Sequence, residues 1–187
     1  MYADAFTVLA ATFDVDGIKK SFGTPLTLQT YALGSGLDGD LMAAMLSPRR
    51  AITFKTSSAV GAYNVKDPIV VSGRRRDNTP IESLVKLTLI NGNETVETPG
   101  AFNWVDKVVV PAQLLNSGAI EIGVGAVEFE TPVLGIEAPS GAGIVKVVTS
   151  LGEERDLTLA ANVVREIAIR RVRRDNATTV TVYMAAA

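Results

Sequence analysis

Residues 81–90 read IESLVKLTLI. Ile81, Val85, Leu87 and Leu89 share one parity, while Glu82, Lys86 and Thr88 take the other. A period of two is the signature of a strand with one buried face, because successive side chains leave a strand on opposite sides. Asn91-Gly92-Asn93 comes next, with residues that tolerate the left-handed backbone of a tight turn. Residues 94–98 are therefore expected to return as the second strand of a hairpin, ended by Pro99-Gly100.

The same pattern spreads outward. Residues 102–110 are rich in aromatic and β-branched side chains and stop at Pro111. Ile120, Ile122 and Val124 alternate with Glu121, Gly123 and Gly125. Val180, Val182 and Met184 alternate with Thr179, Thr181 and Tyr183. Turn signals recur roughly every 8–12 residues, a spacing that favours a sandwich or barrel over a parallel sheet. The predicted class is all-β: an antiparallel β-sandwich or jelly-roll-like fold with at most one or two short helices. A helical turn or two fits residues 38–46. In residues 163–174, Ile167 and Ile169 share a parity that Val172 breaks. The slip at Arg170-Arg171 predicts a β-bulge or a strand end. The alternative is an edge strand whose arginines resist uncontrolled pairing.

Three portions are expected: residues 1–50 as an N-terminal arm with some strands, 51–130 as a β-sandwich module, and 131–187 as a C-terminal β-portion. The Pro- and Gly-rich seam lies over residues 131–143. The last portion either stands apart or completes the same sandwich.

Composition narrows the chemistry. The chain has 187 residues, 47 % of them hydrophobic, so a full core is within reach. Its 18 basic and 20 acidic side chains give a net charge of −2, which offers no whole-chain attraction to nucleic acid or an anionic membrane. There is no cysteine and no histidine. Disulfides, thiolate nucleophiles and His-based triads are thereby excluded. Residues 1–20 lack the basic and apolar regions of a signal peptide, and no apolar run is long enough to span a bilayer. A soluble protein made in the cytosol is expected.

The motifs give no enzyme. Gly34-Ser35-Gly36-Leu37-Asp38-Gly39 matches G-x-G-x-x-G, but no long helix or second parallel strand follows, so a flexible loop is expected and no cofactor. Asp14-Val15-Asp16-Gly17 begins like a calcium loop, yet the twelfth position is Pro25 where a glutamate is needed. A hairpin turn explains it more simply, and a Ca²⁺ site built from distant loops stays open. Asp38/Asp40 and Glu153/Glu154 are paired carboxylates expected in solvated turns. Asn93-Glu94-Thr95 and Asn176-Ala177-Thr178 fit the glycosylation pattern, but without a secretion signal they read as turns. Trp104 with Phe102 is expected in the core, the other reading being a sugar-stacking platform. Arg74, Arg75 and Arg76 form one basic cluster, and Arg170, Arg171, Arg173 and Arg174 another. No aromatic residues are interleaved for base stacking. Each cluster is either a solvated loop or edge, or an interface that grips carboxylates of a neighbouring subunit.

Residues 67–127 run DPIVVSGRRRDNTPIESLVKLTLINGNETVETPGAFNWVDKVVVPAQLLNSGAIEIGVGAV. This resembles a β-module of tailed-bacteriophage virion proteins. In that module a Val-x-Gly strand leads through a polar turn to an I-x-E-x-L-x-L-x-G strand, a T-x-x-A-F stretch, a Val-rich strand and G-x-I-x-I-G. The matching residues are Val71, Gly73, Ile81, Glu82, Leu87, Leu89, Gly92, Thr98, Ala101, Phe102, Gly118, Ile120, Ile122 and Gly123. The family's polar turn is acidic and Gly-rich, whereas this chain carries Arg74, Arg75 and Arg76 there. Residues 157–184 are similar to the end of small phage spike-base or tail-associated proteins, through Val163, Val164, Ile167, Ile169, Arg171, Val172, Thr178, Thr179, Val180 and Tyr183.

The resemblance implies a non-enzymatic virion protein: capsid decoration, a spike or fibre base, or a neck or tail component. It implies a symmetric homo-oligomer, a trimer or higher, or docking on capsid or tail proteins, in a particle assembled in the host cytoplasm. Phe6, Phe13 and Phe22 in the arm, the C-terminal alanines and the two arginine clusters are the expected contacts. The rival is a carbohydrate- or host-receptor-binding module, which needs Trp104, Tyr63 and Tyr31 on one open face.

Overall fold

The alternating segments fold as strands. A computed structural model describes residues 2–8, 14, 16–41, 46, 48–139, 141–173 and 179–185. Its strands are β1 (Tyr2–Val8), β2 (Lys19–Gly23), β3 (Gln29–Ala32), β4 (Arg49–Thr56), β5 (Ile69–Arg74), β6 (Pro80–Val85), β7 (Thr95–Phe102), β8 (Trp104–Val110), β9 (Ala119–Glu137), β10 (Gly143–Thr149), β11 (Glu154–Leu159), β12 (Arg165–Val172) and β13 (Val180–Ala185). The fold is all-β and antiparallel, consistent with a β-sandwich, and the described residues contain no helix. Where a helical turn was expected, residues 38–41 form a loop and turn, and residues 42–45 lie outside the described residues.

The chain divides into two compact units, Asp14–Gly125 and a flanking unit made of Met1–Phe13 with Ala126–Ala187. The boundary falls within β9, whose first part pairs with β2 and whose later part pairs with β12 and β13. It does not fall at residues 50 and 130. Strands β2 and β3, in the stretch expected as an arm, pair with β9 and β8.

Within Asp14–Gly125 one sheet has the order β2-β9-β4-β7 and the other β3-β8-β5-β6. Every connection crosses between the sheets except the β5–β6 hairpin. This is the wiring of an eight-stranded jelly roll, two interlocked Greek keys. Ile52, Phe54 and Ile122 from one sheet cluster with Val71, Val108 and Val110 from the other, all at 0 % exposure. Each such side chain contributes about 2 kcal/mol by leaving water.

The expected hairpin around Asn91-Gly92-Asn93 does not form. Strand β6 pairs with β5 and β7 pairs with β4, so the turn carries the chain from one sheet to the other. Gly92 still supplies the positive φ, at 106°. Glu94 closes the crossover: its carboxylate accepts the backbone N–H groups of Thr88 and Leu89, each at 2.9 Å. The return strand does not end at Pro99-Gly100 but runs through them. Ala51 pairs with Ala101 and Thr53 with Glu97, so β7 carries two extra residues there. A bulge is where a sheet tolerates proline, which has no N–H for the ladder.

In the flanking unit the order is β1-β13-β9-β12-β10-β11. Its core includes Val133, Ile136, Val147, Ile169, Val172 and Val182. All of these come from one sheet. The parity slip at Arg170 is a bulge: Ile169 and Arg171 are successive partners, with Arg170 left out of both ladders. The edge-strand alternative is overturned, because β12 lies between β9 and β10.

Candidate functional site

The arginine clusters come apart on folding: Arg75 and Arg76 leave the end of β5 for a turn, and Arg170 and Arg171 stand at a bulge, where the register shifts. Arg74, at the end of β5, grips Asp106 with Nε at 3.1 and 3.0 Å and Nη2 at 2.9 Å. Its guanidinium also lies 5.4 Å from the centre of the half-buried Trp104 ring. Arg75 and Arg76 are exposed on the β5–β6 turn, where Asn78 takes a φ of 64°. Asp77 in that turn is held below the usual carboxylate range, chiefly by the Thr79 N–H. Arg170 is exposed at its bulge. Arg171 turns inward to Glu128 at 3.0 Å, and Arg173 pairs with Glu154. Arg174 and Phe13 lie outside the described residues, as do Asn176, Ala177, Thr178, Ala186, Ala187 and the Phe6 side chain. The Phe6 backbone pairs with Val182 inside the chain.

Phe22 is half-buried, 4.8 Å from the Tyr31 ring. Lys19 lies over both rings, at 5.3 and 4.7 Å, and donates to the Gly36 carbonyl at 2.7 Å. The glycine-rich segment thus holds a buried lysine of its own chain. The carboxylate pairs are also occupied. Asp38 accepts the Lys20 N–H and faces Lys19, Asp40 faces Lys20, Glu153 meets Arg155, and Glu154 meets Arg173. Asp16 hydrogen-bonds Asp14, which together with burial raises its pKa. Among the described residues no group of three such side chains is placed to hold a metal ion. Tyr63 is fully buried, its hydroxyl donating to the Ser57 carbonyl at 2.7 Å, so Trp104, Tyr63 and Tyr31 form no common open face. Phe102 is buried, as expected of a core residue.

The most distinctive surface lies in the jelly-roll unit and was not expected from the sequence. Strands β2, β4, β6 and β8 all run toward one end, so the four crossovers that follow them gather there. Residues 24–28, 57–65, 87–93 and 111–118 of those loops contain no charged side chain, and Lys66, Asp67, Lys86 and Glu94 flank them in the second and third crossovers. Backbone bonds lash them together: Gln113 N–H to Pro25 O at 2.7 Å, Leu114 N–H to Ala62 O at 3.0 Å, and Gly92 N–H to Ala59 O at 3.1 Å. Thr24 adds a side-chain bond to Leu115 O at 2.6 Å. Gln113 is buried and accepts the Asn64 N–H at 2.9 Å. Thr24 and Gln113 turn inward, whereas several large apolar side chains face water beside the exposed Thr27, Ser58, Thr88, Asn91, Asn93, Asn116 and Ser117. Leu26 and Leu28 come from the first loop, Val60 from the second, Leu89 and Ile90 from the third, and Leu114 and Leu115 from the fourth. Each is at least 43 % exposed, and Val60 reaches 81 %. The opposite end carries Asp38, Asp40, Arg75, Arg76 and Asp77, all exposed. The local signal was the run PAQLLNSG, turn chemistry with two leucines and no charge, but only the topology joins it to the other three.

A hollow of about 440 Å³ beside it is lined by Ser21, Lys55, Thr56, Asn93, Glu94 and Glu121, among others, with Lys55 paired to Glu121 at 3.0 Å. Comparison with protein-family models, curated proteins and solved structures returns no match for this chain.

Proposed function

We propose that this protein is a non-enzymatic structural component of a bacteriophage particle, acting through subunit–subunit contacts as capsid decoration, a spike or fibre base, or a neck or tail component. Its partners are its own copies and other virion proteins. The observation that carries this reading is the set of exposed leucine, isoleucine and valine side chains that four loops bring to one end of the jelly roll. Large contiguous apolar patches on folded proteins mark surfaces that other macromolecules cover. The stretch that resembles phage virion modules, residues 67–127, supplies two of the four loops in full and strands β5 to β8.

Quantitative mass spectrometry of gradient-purified particles tests the proposal. Recovery in stoichiometric amounts with capsid and tail proteins is expected. Hundreds of copies would mean shell decoration, and a small multiple of three or six would mean a vertex, neck or tail. Absence from the particles overturns it.

A further inference from the structure

We propose that Asn91-Gly92 is a site of spontaneous modification, cyclisation to a succinimide followed by hydrolysis to aspartate or isoaspartate, and that the second crossover of the jelly roll holds it shut. Asn91 is the one asparagine of the chain that is followed by glycine. It lies exposed in the third crossover, where solvent base and water reach it.

The reaction needs two groups. The Gly92 main-chain nitrogen gives up its proton to solvent base and attacks the side-chain carbonyl carbon of Asn91. The new N–C bond closes a five-membered ring, and the side-chain nitrogen leaves as ammonia. Water then opens either ring carbonyl, so that in sum an amide and water become an acid and ammonia. Glycine favours the attack because no Cβ crowds its nitrogen.

In the folded chain both groups are held by residues 59–61. The Gly92 N–H donates to the Ala59 carbonyl at 3.1 Å, and the Asn91 side-chain oxygen accepts the Gly61 N–H. The Gly92 carbonyl is fixed as well, accepting the Thr56 hydroxyl at 3.0 Å. Cyclisation requires the Gly92 nitrogen to lose the proton that bonds Ala59 and to move onto the Asn91 carbonyl carbon. The two crossovers must therefore part first, and loops open locally at far lower cost than the whole fold. The modification records such openings. Isoaspartate also adds one carbon to the main chain between the residues that bond Gly61 and Ala59, so it works against closure.

Peptide mass spectrometry on the full chain, incubated in mildly alkaline buffer and digested at acid pH, tests the proposal. Deamidation at Asn91 should run at least about tenfold slower in the folded chain than in the same chain unfolded in urea. Two variants separate local from global opening. Gly61→Ala strains the second crossover, because Gly61 has a φ of 66°, while the nearest atom to the new Cβ would lie 3.8 Å away. Gly34→Ala imposes the same strain in another loop, at a φ of 76° with nothing within 4 Å. Both should lower the thermal midpoint alike, and only Gly61→Ala should speed deamidation at Asn91. Equal rates in the folded and unfolded chain, equal acceleration by the two variants, or no acceleration by Gly61→Ala would overturn the hold of the second crossover. An Asn91 that stays intact in urea would overturn the site itself.

Discussion

The hydroxyl of Thr98 accepts the amide proton of Ile52 at 2.9 Å, where the β4–β7 ladder loses register. The same hydroxyl donates to the Gly100 carbonyl at 2.6 Å. One side chain thus replaces the ladder partner that the Pro99 bulge displaces. Thr98→Val keeps the shape but leaves a buried N–H unbonded, and should lower stability by about 1–3 kcal/mol. Thr98→Ser keeps the bonds and should lose much less. Urea unfolding midpoints of the two variants provide the check, and equal midpoints would show that the hydroxyl is dispensable.

Gly73 has a different constraint. A Cβ there would lie 2.1 Å from the Trp104 carbonyl oxygen and 2.8 Å from Phe102. Gly73→Ala must push backbone aside and should cost about 3 kcal/mol. At Gly23 nothing lies within 4 Å of the added Cβ, so Gly23→Ala should be neutral or slightly stabilising. Thermal melts of the pair distinguish a packing requirement from a general intolerance of change in strands.

The Arg171–Glu128 pair is mostly shielded from water, with side-chain exposures of 12 % and 14 %. Removing either charge takes from the other a partner at 3.0 Å. Arg171→Met or Glu128→Leu alone should cost about 3 kcal/mol, while the double variant should recover part of that loss. A double-mutant cycle with no coupling would refute the pairing as an energetic unit.

Asp38 gives a pH signature. Burial pushes its pKa up, but the Lys20 N–H and the Lys19 charge outweigh this and leave it below the ordinary value of 3.8. A carboxylate with a depressed folded pKa contributes stability above its unfolded value and loses it as pH falls through the folded one. Asp38→Asn should therefore be less stable than wild type at pH 7, and the gap should close as pH drops below 3.8. A gap that stays constant with pH would assign the effect to something other than ionisation.

Local periodicity was legible in the sequence. Ile120, Ile122 and Val124 alternate and are all buried, and the parity slip at Arg170 is a bulge. Both follow from side chains leaving a strand on alternate faces, which needs no knowledge of partners. The Asn91-Gly92-Asn93 turn was misread because its chemistry is local, whereas the strand that follows is claimed by β4 in the other sheet. The separation of the arginine clusters has a related reason. Neighbours in sequence, Arg171 and Arg173, go to different carboxylates on different strands. The loop end was not legible, since its four stretches are gathered only by the crossovers of the jelly roll.

The β1–β13 ladder also fixes an order of events during synthesis. Val8 pairs with Val180, and the whole jelly-roll unit lies between them in the chain. At ordinary elongation rates the intervening stretch takes roughly ten to thirty seconds to translate. The jelly-roll unit has all of its strands before β10 is made, whereas β1 waits for β13. During that wait β1 has no native partner. The risk of mispairing in the nascent protein therefore concentrates on residues 2–8, and slower translation lengthens their exposure.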